Sequence, residues 1–284
     1  MPITFKEVSH IYNEDSPFSY VALDNISLDI KEGSFTAIIG ETGSGKTTLV
    51  QHLNALLLPS KGTIEVLDRT IVGGVKPKHL KELRHRVGLV FQFPEYQLFE
   101  ETILKDICFG PKNFGVSDEA AIERASKVLK IVGLDDSYLE KSPFNLSGGQ
   151  KRRIAIAGIL AMEPEVLVLD EPTAGLDPQG ALEMMNLFQT MNKEFHKTVL
   201  IVTHDMEHVL NYCEEVVVIH DGKRMKQCSV HDFFAQVDLL HELKITPPAI
   251  IRLREDLKKQ GFQLDDHILS VDELARAVSK EVKV

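Results

Sequence analysis

The sequence predicts an α/β fold: a parallel sheet with helices on both faces, an antiparallel β part, an inserted helical subdomain and a C-terminal helical tail. Three observations predict it. Short β-branched apolar runs alternate with stretches of helical periodicity, first near residues 35–57 and again over 166–219. That alternation, with nearly continuous apolar strands, is the pattern of a sheet buried on both faces and joined by crossovers. Between these regions, and again after Glu242, the periodicity is helical alone.

In chain order, strands are expected at 3–8, 23–30 and 35–39, the last ending abruptly at Gly40. Leu49, Val50, Leu53, Leu56 and Leu57 fall at helical spacing, which predicts a helix over 47–57 closed by Pro59. Residues 62–72 read as a hairpin. Helices are expected at 101–109, 119–132 and 151–162; the second carries Ile122, Ala125, Val128, Leu129 and Val132 on one face and stops at Gly133. A strand at 166–169, a helix at about 181–195, a strand at 199–202, a helix from Asp205 and a strand at 216–219 follow, with Asp221-Gly222 as a hairpin turn. Pro247 and Pro248 open a helix that Gly261 stops, and Ser270-x-x-Glu273 is a capping box for a final helix. The expected organisation is a main domain over 1–244, with its helical subdomain at about 93–162, and an extension over 245–284. The extension is too short for a robust core of its own and must pack on the body or on another chain.

The chain has 284 residues, 42 acidic and 32 basic, for a net charge of −10. With 43 % hydrophobic and 26 % charged residues it has an ordinary globular balance, which excludes wholesale disorder. The longest apolar run, 154–162, has nine residues, against about 20 for a membrane-spanning helix. The first residues show neither a basic nor an apolar segment of a secretory signal. An integral membrane protein is excluded and a secreted one is not expected. The negative charge argues against a protein that works mainly by gripping nucleic-acid phosphates. Cys108, Cys213 and Cys228 lie far apart with no C-x-x-C, which reads as free thiols in a reducing compartment.

Gly40-Glu41-Thr42-Gly43-Ser44-Gly45-Lys46-Thr47-Thr48 matches G-x-x-x-x-G-K-[ST] between a buried strand and a helix, the context that motif requires. Its glycines let backbone N–H groups wrap phosphate oxygens at a helix N-terminus. Lys46 is placed to reach the β- and γ-phosphates of a nucleotide and the Thr47 hydroxyl to bind Mg²⁺. The run 166–169 ends in Asp170 and Glu171. Asp170 suits the Mg²⁺ beside the loop, and Glu171 is free to polarise a water for in-line attack. Leu146-Ser147-Gly148-Gly149-Gln150 opens the helix at 151 and makes a second anion cradle. Two cradles exceed what one γ-phosphate needs within one subunit.

With Thr203-His204-Asp205 added, these motifs have the order and spacing of an ABC-type ATPase subunit, which the chain resembles over residues 1 to about 240. The resemblance implies that Gln92 ends a strand and senses Mg²⁺ and the γ-phosphate. It implies that Asp177 lies at the dimer contact and that His204 holds the γ-phosphate and the attacking water. Ser147 and Gly149 then bind the γ-phosphate of the opposite subunit, so two chains meet head to tail over two ATP molecules. Tyr12 resembles the aromatic that stacks on adenine; the long segment 13–20 leaves Phe18 and Tyr20 as alternatives.

The stretch 91–102 carries Phe91, Phe93, Tyr96 and Phe99 among Glu95, Glu100 and Glu101, which suits docking of a basic partner helix. This segment and the proline-led tail resemble the ATP-binding A component of energy-coupling factor (ECF) vitamin transporters, especially the second A-type chain. That resemblance implies an ATP-driven uptake motor at the cytoplasmic face of the membrane. Its implied partners are a second ATPase subunit, a paralogous A chain or a second copy. A transmembrane T component and, through it, a substrate-capturing S component complete the set. The alternatives are a subunit of a cobalt, nickel or conventional ABC transporter, or a non-transport ABC ATPase acting on nucleic acid.

Overall fold

A computed structural model describes residues 2–282; residues 1 and 283–284, the outermost ends of the two expected segments, lie outside the described residues. The chain opens with strands β1 (Ile3–Tyr12), β2 (Tyr20–Ile30) and β3 (Phe35–Ile39), then helix α1 (Lys46–Gln51). β4 (Lys61–Val66), β5 (Arg69–Val72), α2 (Leu80–Arg86) and β6 (Val87–Val90) follow. The helical subdomain contains α3 (Ile103–Asn113), α4 (Asp118–Ile131) and α5 (Gly148–Leu160). Alternation then resumes with β7 (Val166–Asp170), α6 (Pro178–Lys193), β8 (Thr198–Val202), α7 (Met206–Tyr212), β9 (Glu215–His220) and β10 (Lys223–Ser229). Helices α8 (Val230–Ala235), α9 (Val237–Glu242), α10 (Ala249–Lys259) and α11 (Val271–Val282) close the chain.

The strands form two sheets. One is antiparallel with order β2-β1-β4-β5, and the other has order β10-β9-β3-β8-β7-β6. In the second, β9, β3, β8, β7 and β6 pair in parallel, while β10 adds an antiparallel edge. Side chains alternate across a strand, and here both faces are buried. Ala37, Ile39, Leu167, Leu169, Val199 and Ile201 face a core shared with α3–α6. Ile38, Val166, Val168, Leu200 and Val202 face the antiparallel sheet through Ile3, Phe5, Ile26 and Ile64. The parallel register sends β3, β8, β7 and β6 out at one edge of the sheet, so the segments after their carboxyl ends lie side by side.

Two expectations are corrected. The helix expected over 47–57 stops at Gln51. Ala55 takes a left-handed φ of 53° and the N–H groups of Leu56 and Leu57 both return to the Gln51 carbonyl; tight turns have replaced propagation. The residues after 51 still bury Leu53, so the apolar spacing reported burial correctly while misreporting the backbone. Gln92 does not end a strand: β6 stops at Val90 and Gln92 lies in the loop beyond it.

The extension packs on its own chain. Ile250, Ile251, Leu264, Leu269 and Leu274 join the core shared with Val209, Phe233 and Phe234. Arg254 on α10 is fully buried and donates to the carbonyls of Asp266, Ile268 and Phe234, fixing the α10–α11 connection. The Ala249 N–H donates to Glu207 of α7 at 2.7 Å. Ser270 and Glu273 form the expected capping box, with bonds of 3.3 and 3.2 Å. Among the described residues no helix is long and apolar enough to cross a membrane.

Candidate nucleotide site

The loop after β3 turns back on itself because its glycines permit it. Gly40 has φ +152°, and a Cβ there would stand 2.0 Å from the Ile219 carbonyl oxygen. Gly45 has φ +103°, and a Cβ there would stand 2.5 Å from that of Ala22. The loop is thus clamped between the end of β9 and the start of β2 and leads directly into the N-terminus of α1. The Lys46 ammonium donates to the carbonyls of Gly40 and Glu41 at 2.8 and 2.7 Å, so it is held across the mouth of the loop. Burial pulls its pKa down, opposed by the charges of Glu171 and Asp170.

β7 delivers Asp170 to the same place. The Thr47 hydroxyl donates to Asp170 Oδ2 at 2.9 Å, across 123 residues of sequence. Asp170 is 7 % exposed. Burial pushes its carboxyl above the ordinary value, against the Thr47 hydrogen bond and the Lys46 charge. A hydroxyl beside a carboxylate is an all-oxygen donor pair, the chemistry Mg²⁺ takes when nucleotide phosphates supply its remaining ligands. Among the described residues no cluster of three or more His, Cys, Asp or Glu is placed to hold a metal without such help.

Glu171 follows in a left-handed conformation, φ 48°, which turns its carboxylate out of the strand direction. Its N–H donates to the Val202 carbonyl at 2.9 Å, and its Oε1 lies 2.8 Å from His204 Nδ1 at the end of β8. The His204 side chain is 82 % exposed and that of Glu171 17 %, so the pair sits at the rim with the carboxylate inward. Lys46, Thr47, Asp170, Glu171 and His204 are therefore brought together by adjacent strands. Gln92 is exposed beyond the neighbouring strand end.

Tyr12 and Tyr20 face each other across the β1–β2 ladder. The Tyr12 hydroxyl lies 3.2 Å from Thr48 Oγ1 and that of Tyr20 lies 3.4 Å from the Gly43 carbonyl oxygen. Segment 13–19 is the turn between them and leaves Phe18 83 % exposed. The Tyr12 ring packs edge-on against His10, which in turn packs edge-on against His52.

Ser147 caps α5: its hydroxyl accepts from the Gln150 N–H, and Gln150 Oε1 accepts from the Ser147 N–H. Gln150 also donates to the Tyr138 hydroxyl at 3.1 Å. A Cβ at Gly148 or Gly149 would meet nothing within 4 Å, so this cradle opens outward. Asp177 caps α6 through the Gly180 N–H at 2.8 Å. Among the described residues no hydrogen bond or ion pair joins 147–150 to 40–48, Asp170 or Glu171.

One constellation has no motif in the sequence. Arg152 on α5, 2 % exposed, donates from Nε and Nη2 to both oxygens of Glu95, at 2.9 and 2.8 Å. Its Nη1 donates to the carbonyls of Ala174 and Pro172 at 2.7 and 3.3 Å. Burial raises the Glu95 pKa, and the Arg152 hydrogen bonds and charge overcome it to hold the carboxyl below its usual range. The signal available in sequence was a basic residue entering an otherwise apolar helix face.

Comparison with known proteins agrees with this geometry. The ABC transporter family model matches residues 23–174. The chain is 50 % identical over its full length to the energy-coupling factor transporter ATP-binding protein EcfA2 of Enterococcus faecalis, covering 98 % of that protein. It is 47 % identical to the EcfA2 of Geobacillus kaustophilus over 99 % of this chain and 97 % of the relative. Among solved structures, cbiO1 of Clostridium perfringens, part of the ABC transporter complex cbiONQ, superposes with a TM-score of 0.74 at 38 % identity, covering 89 % of this chain and 98 % of that one. A dimeric ATP-binding cassette in a post-hydrolysis state with ADP and phosphate gives 0.71 at 30 % identity, covering 80 % and 98 %.

Proposed function

Because the chain belongs to the energy-coupling factor transporter ATP-binding proteins, within the ABC transporter family, it is an ATP-hydrolysing transport motor, and we propose how its residues do that work. Residues 40–48 hold the phosphates of ATP through backbone N–H groups, and Lys46 turns from its own loop carbonyls to the β- and γ-oxygens. Thr47 and Asp170, with Gln92 from the adjoining loop, hold Mg²⁺. The bound ion supplies neutralisation of phosphate charge. Glu171 Oε1 accepts the proton of the attacking water, and His204 orients that carboxylate and reaches toward the γ-phosphate. Tyr12 offers its ring to adenine at the open side of the loop. Ser147, Gly148, Gly149 and Gln150 close over the nucleotide of a second ATPase subunit, and Asp177 lies at that contact.

The exposed aromatics Tyr96, Phe99 and Phe109, with Glu100 and Glu101, dock a transmembrane T component. That component carries an S component for vitamins or similar micronutrients, which places this chain at the cytoplasmic face of the membrane as a peripheral subunit. Residues 1–244 form the ATPase domain. The extension 245–284, whose α10 leaves Leu253 52 % exposed, adds surface for association between ATPase subunits.

The observation that carries this reading is the Thr47–Asp170 hydrogen bond, with the Glu171–His204 pair one residue beyond it. Glu171→Gln tests it, because the amide keeps the size and cannot take the proton. ATP binding survives, turnover falls ~10²–10⁴-fold, and the ATP-bound dimer accumulates. Near wild-type turnover removes Glu171 as the base.

A further inference from the structure

The Arg152 constellation joins segments that the reading above treats separately. Glu95 sits in the short 3₁₀ turn Pro94–Gln97 beside Tyr96, which is 84 % exposed on the docking face. Pro172 follows Glu171 directly, and Ala174 lies two residues further on. Arg152 itself lies on the helix that Ser147 caps. A single buried guanidinium therefore ties the docking turn, the backbone after the catalytic carboxylate and the helix that faces the partner subunit.

From this geometry we infer that Arg152 is a positioning residue, which sets the place of Glu171 according to the position of the turn that carries Glu95. The inference rests on Glu171 as base and on residues 93–101 as docking face. Glu171 is anchored on its N-terminal side by its own N–H on Val202. On its C-terminal side the chain is fixed by Arg152 Nη1 on the Pro172 and Ala174 carbonyls. The other edge of the guanidinium is spent on Glu95, which takes both bonds. The guanidinium is planar and rigid, so a shift of Glu95 by a docked helix tilts the whole fork. The carbonyls on Nη1 move with it, and Glu171 is displaced by a fraction of an ångström. Near-attack geometry is sensitive on that scale. The Phe93 ring, 5.6 Å from the guanidinium carbon, covers the fork at the loop side. A lysine carries the charge without the fork and reaches one of these partners at a time.

The test is a double-mutant cycle with Glu95→Gln and Arg152→Lys in the full chain, reading ATP turnover, KM and thermal melting, with Glu171→Gln assayed alongside. Each single substitution lowers kcat about ten- to hundredfold with KM within about twofold, and the double variant is no slower than the slower single. A merely structural role moves melting temperature and leaves kcat of the folded fraction unchanged. Losses that multiply in the double variant, or a rise in KM at constant kcat, overturn the inference. Should Arg152→Lys fail to fold, Glu95→Gln decides alone, and an unchanged kcat overturns it. Failure of the base reading shows separately, as retained turnover in Glu171→Gln.

Discussion

The two glycine-bearing cradles of this chain have the same chemical vocabulary and opposite states of completion. In the loop 40–48 the side chains that carry the motif are engaged within the chain: Lys46 on two loop carbonyls and Thr47 on Asp170, while Gly40 and Gly45 are pressed against the backbones of β9 and β2. In the loop 147–150 the serine and glutamine satisfy each other as a helix cap, and the glycines face open space. The first is assembled from residues of one chain. The second is a helix N-terminus, positive by its dipole, with nothing of its own to bind. The lesson is that glycine content alone does not distinguish the two loops; the crowding at Gly40 and Gly45, which has no counterpart at Gly148 or Gly149, does.

The same substitution should therefore have opposite consequences in the two loops. Gly40→Ala drives a methyl onto the Ile219 carbonyl at a φ that side chains avoid. It is expected to destabilise the chain by about 3 kcal/mol or more and to abolish ATP binding. Gly148→Ala meets no atom and enters a helix, so stability should rise by up to about 1 kcal/mol. Melting curves of the two variants check the contrast, and equal losses would dissolve it.

A smaller effect separates the cradles by pH. Burial raises the Asp170 pKa, so this carboxyl keeps its proton to a higher pH than an ordinary one near about 4. On the proposed role of Asp170 as an Mg²⁺ ligand, Mg²⁺-supported ATP binding needs the carboxylate form. Affinity should fall on acidification with a midpoint above the ordinary carboxylate range, and Asp170→Asn should remove that limb. Isothermal titration across pH with and without Mg²⁺ reads both; a midpoint at or below the ordinary value would mean that the Thr47 bond and Lys46 charge outweigh burial.

Much of this was legible in the sequence, for identifiable reasons. Buried parallel strands write themselves as apolar runs, so β3, β7, β8 and β9 were visible within a residue or two, and the motifs after them named Lys46, Asp170, Glu171 and His204. What was hidden depended on backbone exceptions or on long-range pairs. The left-handed Ala55 ends a helix that the apolar spacing of Leu53, Leu56 and Leu57 continues. The pairing of Tyr12 with Tyr20 across a turn brings both rings to the loop, which spacing along one strand does not show. Arg152 and Glu95 lie 57 residues apart, and neither belongs to a spaced motif. The tail's apolar residues were legible, and their burial against α7 and α8 of the same chain was not.

The division of labour between the cradles is tested most directly by Gly149→Asp. A carboxylate at an open helix N-terminus is tolerated by the fold and favoured by the dipole, yet repels a phosphate brought by another subunit. The measurement is ATP affinity of the isolated chain, at concentrations where it is monomeric, alongside turnover of the assembled ATPase pair. The expected result is single-chain affinity within about twofold of wild type and turnover reduced ~10²-fold or more. Affinity of the monomer falling in step with turnover would contradict it, since loop 147–150 would then serve the chain's own nucleotide.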